Sequence, residues 1–233
     1  MPTAPIDFEV SVPAARGDAV VSARHYPASA AALEAVLVLA HGASAGQDSP
    51  FMVSYARGIA DRGLAVITFN FPYMEQGRKV AAKASDRVDC WRAVAGAARD
   101  RTGAPLLAGG KSMGGRVASM LASESGPGDP PLAGLVFLGY PLHPPGRGDQ
   151  PRVSHWRNIT PPALFVLGAR DAFGSPDELR EHLPSFGGKT ELLVVDGGDH
   201  SFKVSRGPKG RQQQVHDDIH DAIVSWARRT VAV

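Results

Sequence analysis

The sequence predicts an α/β fold, a three-layer α/β/α sandwich around a mostly parallel sheet. Three observations predict it. Short, wholly apolar runs such as Val36-Leu37-Val38-Leu39-Ala40 and Leu135-Val136-Phe137-Leu138 have the length of strands and suit strands buried on both faces. Segments with helical periodicity lie between these runs, and parallel neighbours need such crossovers. The glycine-rich stretch Gly109-Gly110-Lys111-Ser112-Met113-Gly114-Gly115 turns one run, Pro105-Leu106-Leu107-Ala108, directly into a helix-like stretch from Arg116 to Ala122.

In chain order, Phe8 to Val12 and Ala19 to His25 read as two strands of an antiparallel edge. The Val36 strand leads to a helix with Ser49 as N-cap and Pro50 at its first position, closing near Gly63. Ala65-Val66-Ile67-Thr68-Phe69 is the next strand. Val88, Trp91, Val94 or Ala95, and Ala98 form the stripe of a helix from about Ser85 to Asp100. After the glycine turn come the Leu135 strand, a proline-rich segment from Tyr140 to Thr160, and the strand Ala163 to Gly168. A short helical pattern from Pro176 to His182 precedes the strand Glu191 to Val195. The last helix carries an apolar stripe of Val215, Ile219, Ala222, Ile223 and Trp226. The Tyr140–Thr160 segment is too short for a separate lid, so an open site is expected. A chain of 233 residues with 43% apolar content can fill one such core, and residues 1–233 are read as a single domain.

The glycine turn is G-x-S-x-G in a strand-turn-helix context. There the serine takes a strained conformation that only small neighbours permit, and its oxygen stands exposed. Ser112 is the candidate nucleophile. Gly110-Lys111-Ser112 also resembles the end of a phosphate-binding loop, but that loop needs a glycine where this chain has Pro105. A serine is inert at neutral pH unless a histidine takes its proton and a carboxylate holds that histidine in the right tautomer. In this architecture both follow the serine, acid first, on loops past strand ends. Asp171, after Gly168-Ala169-Arg170, is the candidate acid, and His200, in Asp196-Gly197-Gly198-Asp199-His200, is the candidate base.

Other residues compete for these roles. Asp177 lies in a helical pattern and reads as a solvated charge at a helix start, whereas Asp196 and Asp199 share the His200 loop and can supply supporting hydrogen bonds. His216 and His220 stand four apart and could clamp a metal, but the glutamate of H-E-x-x-H and a third ligand are missing. Both fall off the apolar stripe of their helix, and no metal is expected. His25, His155 and His182 read as surface or boundary residues.

His41-Gly42-Ala43 ends the Val36 strand beside a flexible Ser-Ala-Gly segment. Two backbone N–H groups could there stabilise the negative charge of a tetrahedral intermediate, with Met113 and Ala43 as donors. Tyr140, Leu142 and His143 at one strand end, and Phe71, Tyr73 and Met74 at another, are candidate substrate-binding walls.

Charge and composition narrow the partners. A formal net charge of +2 does not point to nucleic acid, and Lys203, Arg206, Lys209 and Arg211 form the one basic cluster, read as a solvated loop or an attraction for anionic substrates. The N-terminal residues show neither a basic region nor an apolar signal segment, and no run has the length of a membrane span. A cytoplasmic protein without membrane or cofactor is expected. Cys90 is the single cysteine; it cannot form an internal disulfide, and its helical pattern suggests a buried thiol.

Taken together, His41-Gly42-Ala43, Phe71-Pro72-Tyr73-Met74, Gly109 to Arg116, Tyr140-Pro141-Leu142-His143, Gly168 to Asp171 and Asp199-His200-Ser201-Phe202 resemble the α/β-hydrolase superfamily in its dienelactone-hydrolase-like division. The chain looks most similar to the group that includes a testis-expressed hydrolase-like protein and a hydrolase-like subunit of an acetyltransferase complex. The resemblance implies an eight-stranded hydrolase sheet and a Ser112, Asp171, His200 triad. Dienelactone hydrolases proper carry a cysteine where this chain has Ser112. The expected activity is that of a serine hydrolase, of carboxylesterase or thioesterase type, acting on esters or thioesters of small acyl groups. The rival reading is a non-catalytic interaction module on the same scaffold; such proteins usually lose a triad member, and all three positions are filled here.

Overall fold

In the computed structural model, which describes residues 4–13, 17–29, 32–78, 83–205 and 207–232, the apolar runs become the middle of one sheet. Its strands are β1 (Ile6–Val12), β2 (Ala19–Tyr26), β3 (Val36–Ala40), β4 (Ala65–Phe69), β5 (Leu106–Lys111), β6 (Leu132–Leu138), β7 (Ala163–Gly168) and β8 (Thr190–Val195). Their spatial order is β1-β2-β4-β3-β5-β6-β7-β8. β1 pairs antiparallel with β2 and β2 antiparallel with β4, while every other neighbouring pair is parallel. The antiparallel edge is formed by the two segments expected to form it, Phe8 to Val12 and Ala19 to His25, each slightly extended.

Among the described residues, six helices cover the sheet: α1 (Pro50–Ala60), α2 (Pro72–Glu75), α3 (Ala84–Thr102), α4 (Met113–Glu124), α5 (Pro176–His182) and α6 (Arg211–Val231). α1 starts as expected, with Pro50 in its first turn and the Ser49 hydroxyl accepting from the Met52 N–H. α5 begins with a capping box between Ser175 and Glu178. The one-turn α2 and the short 3-10 turn Trp156–Asn158 carry no periodic pattern to read in the sequence. Among the described residues, no separate lid covers the strand ends. Among the described residues, no helix is long and apolar enough to cross a membrane.

Alternation along the central strands sorts the core into two layers. Val36, Val38 and Ala40 of β3 join Trp91, Val94 and Val117 on the α3 and α4 side. Leu37 and Leu39 join Met52, Tyr55, Ile59, Ile219 and Ile223 on the α1 and α6 side. Burying a side chain of that size contributes about 1.5–3 kcal/mol, so β3, buried at every position, anchors both layers. Cys90 is buried in the first layer, and burial pushes its thiol up to about 12.

The expectation that His216 and His220 both lie off the buried face of α6 is wrong for His220, which is 2% exposed. Its ring stands edge-on to Tyr55, with centroids 4.7 Å apart, and occupies space that a side chain at Gly58 would fill. A glycine on α1 makes room for an imidazole on α6. The helical stripe alone cannot reveal that notch. His216 is half-buried and bonded to the Tyr55 hydroxyl and to Gln212. His155, expected at a surface or boundary, bonds the Ser119 hydroxyl at 2.7 Å, and burial lowers its pKa to about 4.

Candidate active site

The turn from β5 into α4 is built from backbone contact. Ser112 has φ 50° and ψ −115°, outside the regions that L-residues favour. The bend is possible because its neighbours lack side chains. A Cβ on Gly114 would lie 2.4 Å from the Ala40 carbonyl oxygen, and one on Gly110 would lie 2.6 Å from the Gly115 nitrogen. The Ser112 N–H is held by the Leu138 carbonyl at 3.0 Å. The hydroxyl of Ser112 thus projects over the C-terminal edge of the sheet.

His200 comes to that edge from the loop between β8 and α6. Its Nε2 lies 2.9 Å from Ser112 Oγ, and its Nδ1 lies 2.9 and 2.8 Å from the two carboxylate oxygens of Asp171. The Asp171 side chain is fully buried, and it also accepts the Phe173 N–H at 2.8 Å. The Phe173 ring lies against the imidazole with centroids 4.3 Å apart. The structure therefore brings Ser112, His200 and Asp171 into one hydrogen-bonded chain. Asp177 is turned to Arg180 instead, and Asp199 accepts the N–H groups of Ser201 and Lys203 within its own loop.

The His200 loop is itself held under tension. Phe202 has φ 62°, rare for an aromatic residue, yet its ring is fully buried against Phe51 and Tyr55. Gln212 on α6 donates to the Phe202 carbonyl and accepts the Val204 N–H, both at 2.9 Å. Lys111, the residue before Ser112, reaches under the loop and donates from Nζ to the His200 carbonyl. Its ammonium lies 5.6 Å from the ring centres of Phe51 and Phe202, and burial pushes its pKa down to about 8. Within G-x-S-x-G, Lys111 is an unspecified residue, and nothing in that motif signals this contact.

Met113 opens α4, so its N–H is among those with no partner inside the helix. Ala43 follows the end of β3, and both residues line the cleft over Ser112. The segment carrying Ala43 is braced from behind. The Phe71 N–H donates to His41 Nε2 at 3.1 Å, so the ring's proton sits on Nδ1 and is directed to the Gly42 carbonyl at 2.6 Å. Burial lowers the His41 pKa to about 4, which keeps the ring neutral. The Tyr73 hydroxyl donates to the Ala43 carbonyl at 3.1 Å.

The cleft has a volume of about 570 Å³, in the range of small-molecule sites. Its walls are not those the sequence suggested. Tyr73, Met74, Tyr140 and His143 are all absent from its lining. Tyr73 is buried as the brace just described, and Met74 packs at the edge of the α3-side core. Tyr140 is buried with its hydroxyl donating to the Arg152 carbonyl and accepting from the Trp156 indole. His143 is buried, with Nδ1 at the Pro144 carbonyl and Nε2 3.4 Å from Glu178. Proximity to a strand end identified these residues, but each side chain turns into the protein. The lining instead includes Phe51, Met52, Phe173, Arg87, Arg116 and Arg152. Of the basic loop, Lys203 borders a neighbouring groove with Gln212 and His216, Lys209 and Arg211 do not line the cleft, and Arg206 lies outside the described residues.

Solved structures of similar shape share this frame. A lid-less α/β serine hydrolase from Xanthomonas campestris is 17% identical, with 96% of this chain and 94% of that one covered at a TM-score of 0.72. The esterase domain of a Rhodothermus marinus protein is 15% identical, with coverages of 98% and 100% and a TM-score of 0.72. A dienelactone hydrolase from Anabaena variabilis is 17% identical, with coverages of 93% and 96% and a TM-score of 0.69. The sequence itself matches the family model described as the alpha/beta hydrolase domain over residues 33–228, and the chain belongs to that family.

Proposed function

We propose that this protein is a serine hydrolase that cleaves esters or thioesters of small acyl groups through an acyl-enzyme. One observation carries the reading. A serine on a strained turn is hydrogen-bonded to a histidine whose other nitrogen is bonded to a buried carboxylate. A scaffold kept for binding alone has no need of that relay.

In the proposed mechanism His200 Nε2 takes the Ser112 proton as Oγ attacks the carbonyl carbon, and Asp171 holds the ring and stabilises the imidazolium. The charge that develops on the carbonyl oxygen is met by the N–H groups of Met113 and Ala43, an effect typically of a few kcal/mol per donor. His200 then gives its proton to the departing alcohol or thiol. Water attacks the acyl-enzyme with His200 again as base, and the acid leaves with Ser112 restored. Every group in this sequence is a side chain or amide of this chain, or water.

Labelling with a fluorophosphonate probe, followed by a panel of short-chain esters and thioesters, tests the reading. Wild-type protein is expected to label and turn over, and folded Ser112→Ala to do neither. Undiminished hydrolysis by folded Ser112→Ala would refute it.

A further inference from the structure

We propose that the cleft selects esters bearing a second, anionic oxy group near the scissile bond, held by the guanidinium groups of Arg116 and Arg152. The proposal rests on the hydrolase reading above and names the class of substrate for that same site.

The charge balance of the cleft is the first observation. The chain carries 25 Lys and Arg against 23 Asp and Glu, so composition alone places no excess of either sign in any one cavity. Yet Arg87, Lys111, Arg116 and Arg152 line the cleft over Ser112, and no aspartate or glutamate lines it among the described residues. Asp171, the carboxylate bonded to His200, is not among the lining residues.

Several arginines elsewhere in the chain are paired with carboxylates. Arg24 meets Asp7 and Asp48, Arg62 meets Asp217 and Asp221, and Arg92 meets Asp89 and Asp129. Arg116 and Arg152 make no side-chain hydrogen bond or ion pair among the described residues. Arg116 Nε is buried without a partner. The charges around these two are mainly of their own sign. Burial and then the charge of Arg116 lower the pKa of Arg152. Partly buried like charges without a counter-ion are costly, and a bound oxyanion relieves both the repulsion and the unmet donors.

Both arginines stand on firm backbone. Arg116 lies one helical turn beyond Ser112 on α4, about 6 Å further along the helix axis. Arg152 is fixed on both sides of its Cα, its N–H bonded to the Leu142 carbonyl at 2.7 Å and its own carbonyl accepting the Tyr140 hydroxyl at 2.9 Å. Apolar contact for the intervening chain comes from Phe51, Met113 and Phe173. The anion can belong to the acyl group, as in the half-ester of a dicarboxylic acid, or to the leaving group, as in a phosphorylated alcohol. The shared chemistry is an oxyanion a few atoms from the carbonyl.

The test compares kcat/KM for p-nitrophenyl hydrogen glutarate, an acetyl ester of a phosphorylated phenol, and neutral p-nitrophenyl pentanoate. At least one anionic ester should exceed the neutral one about tenfold at low ionic strength, converging as salt screens the field. Which anionic ester leads identifies the side on which the anion sits. Arg116→Gln and Arg152→Gln should each lower the anionic-to-neutral ratio about tenfold, Arg152→Lys less, and Lys203→Gln should leave it unmoved. Should Arg116→Gln fail to fold, Arg152→Gln on its surface loop carries the comparison alone. Glutarate titrated calorimetrically into Ser112→Ala gives binding without turnover, and this binding should be lost in the Ser112→Ala/Arg152→Gln double variant. Equal rates for all three esters, with no glutarate binding, would overturn the anion site while leaving the hydrolase reading intact. Glutarate binding that depends on Arg152, in a wild-type protein that hydrolyses nothing and resists the probe, would overturn the hydrolase reading and keep the anion site.

Discussion

The elbow from Gly109 to Gly115 and the segment from Tyr140 to Thr160 both border the cleft, but they are specified in different ways. The elbow is short-range: a strand end, a residue at φ 50° and glycines whose missing side chains let the backbone of α4 touch that of β3. The 140–160 segment is held by contacts between residues far apart in sequence, with the side chains of Ser119, Tyr140, His155 and Trp156 and the Arg152 carbonyl meeting in one network. A site element made by backbone geometry leaves a mark in the sequence. One made by converging side chains leaves almost none.

That difference gives different responses to substitution. The largest effect is expected where the elbow meets the relay. Asp171→Asn keeps the packing but offers the imidazole the wrong hydrogen-bond partner, so kcat should drop about 10⁴-fold with little change in Tm. Steady-state kinetics beside a melting curve checks this, and a drop below tenfold would detach Asp171 from the relay. Next comes Gly114→Ala. Its Cβ would lie 2.4 and 2.6 Å from the carbonyl oxygens of Ala40 and His41, backbone atoms that cannot step aside, so a loss of about 3 kcal/mol or more is expected in denaturant unfolding. Near-wild-type stability would show that the elbow is not set by close backbone approach.

The 140–160 segment should respond by degrees. Tyr140→Phe removes the hydroxyl that links Arg152 and Trp156 and leaves a buried indole donor unmet, for about 1–3 kcal/mol. The elbow is untouched, so probe labelling should persist while any preference for anionic esters weakens. Loss of labelling would mean that the two regions are not separable.

The smallest effect concerns the brace behind the segment that carries Ala43. His41 is buried and neutral, with its pKa lowered from 6.5 to about 4. Between those values the unfolded chain binds a proton that the folded chain refuses, so stability is full above about pH 6.5 and falls as the pH drops toward 4. His155 and His220 are lowered to about 4 by burial as well and contribute in the same direction. His41→Gln should therefore shallow the acid slope by at most about 1.4 kcal/mol per pH unit, measured by urea unfolding between pH 4 and 7. An unchanged slope would mean that His41 titrates alike in both states.

The same contrast explains what could be read in advance. The alternation of apolar runs and helical stripes is a local property, and it marked each of the eight strands to within a few residues. Ser112, Asp171 and His200 were visible because each follows a strand end in a fixed order, and they lie within hydrogen-bond reach of one another. Tyr73, Met74, Tyr140 and His143 were assigned from position alone. Strand-end position fixes where a Cα lies but not where its side chain turns: Tyr73, Tyr140 and His143 are buried, and Met74 is partly buried against the core. Arg87, Arg116 and Arg152 come from two helices and a loop, and no spacing in the sequence announces their meeting.

The central claim is that Ser112 carries the acyl group. Rapid quenching of the protein with p-nitrophenyl acetate, followed by intact-protein and peptide mass spectrometry, tests it most directly. One acetyl group on the peptide containing Ser112, forming and decaying with turnover and absent in Ser112→Ala, is the expected result. Turnover with no adduct there, or an acetyl group on another residue with Ser112→Ala still active, would contradict it.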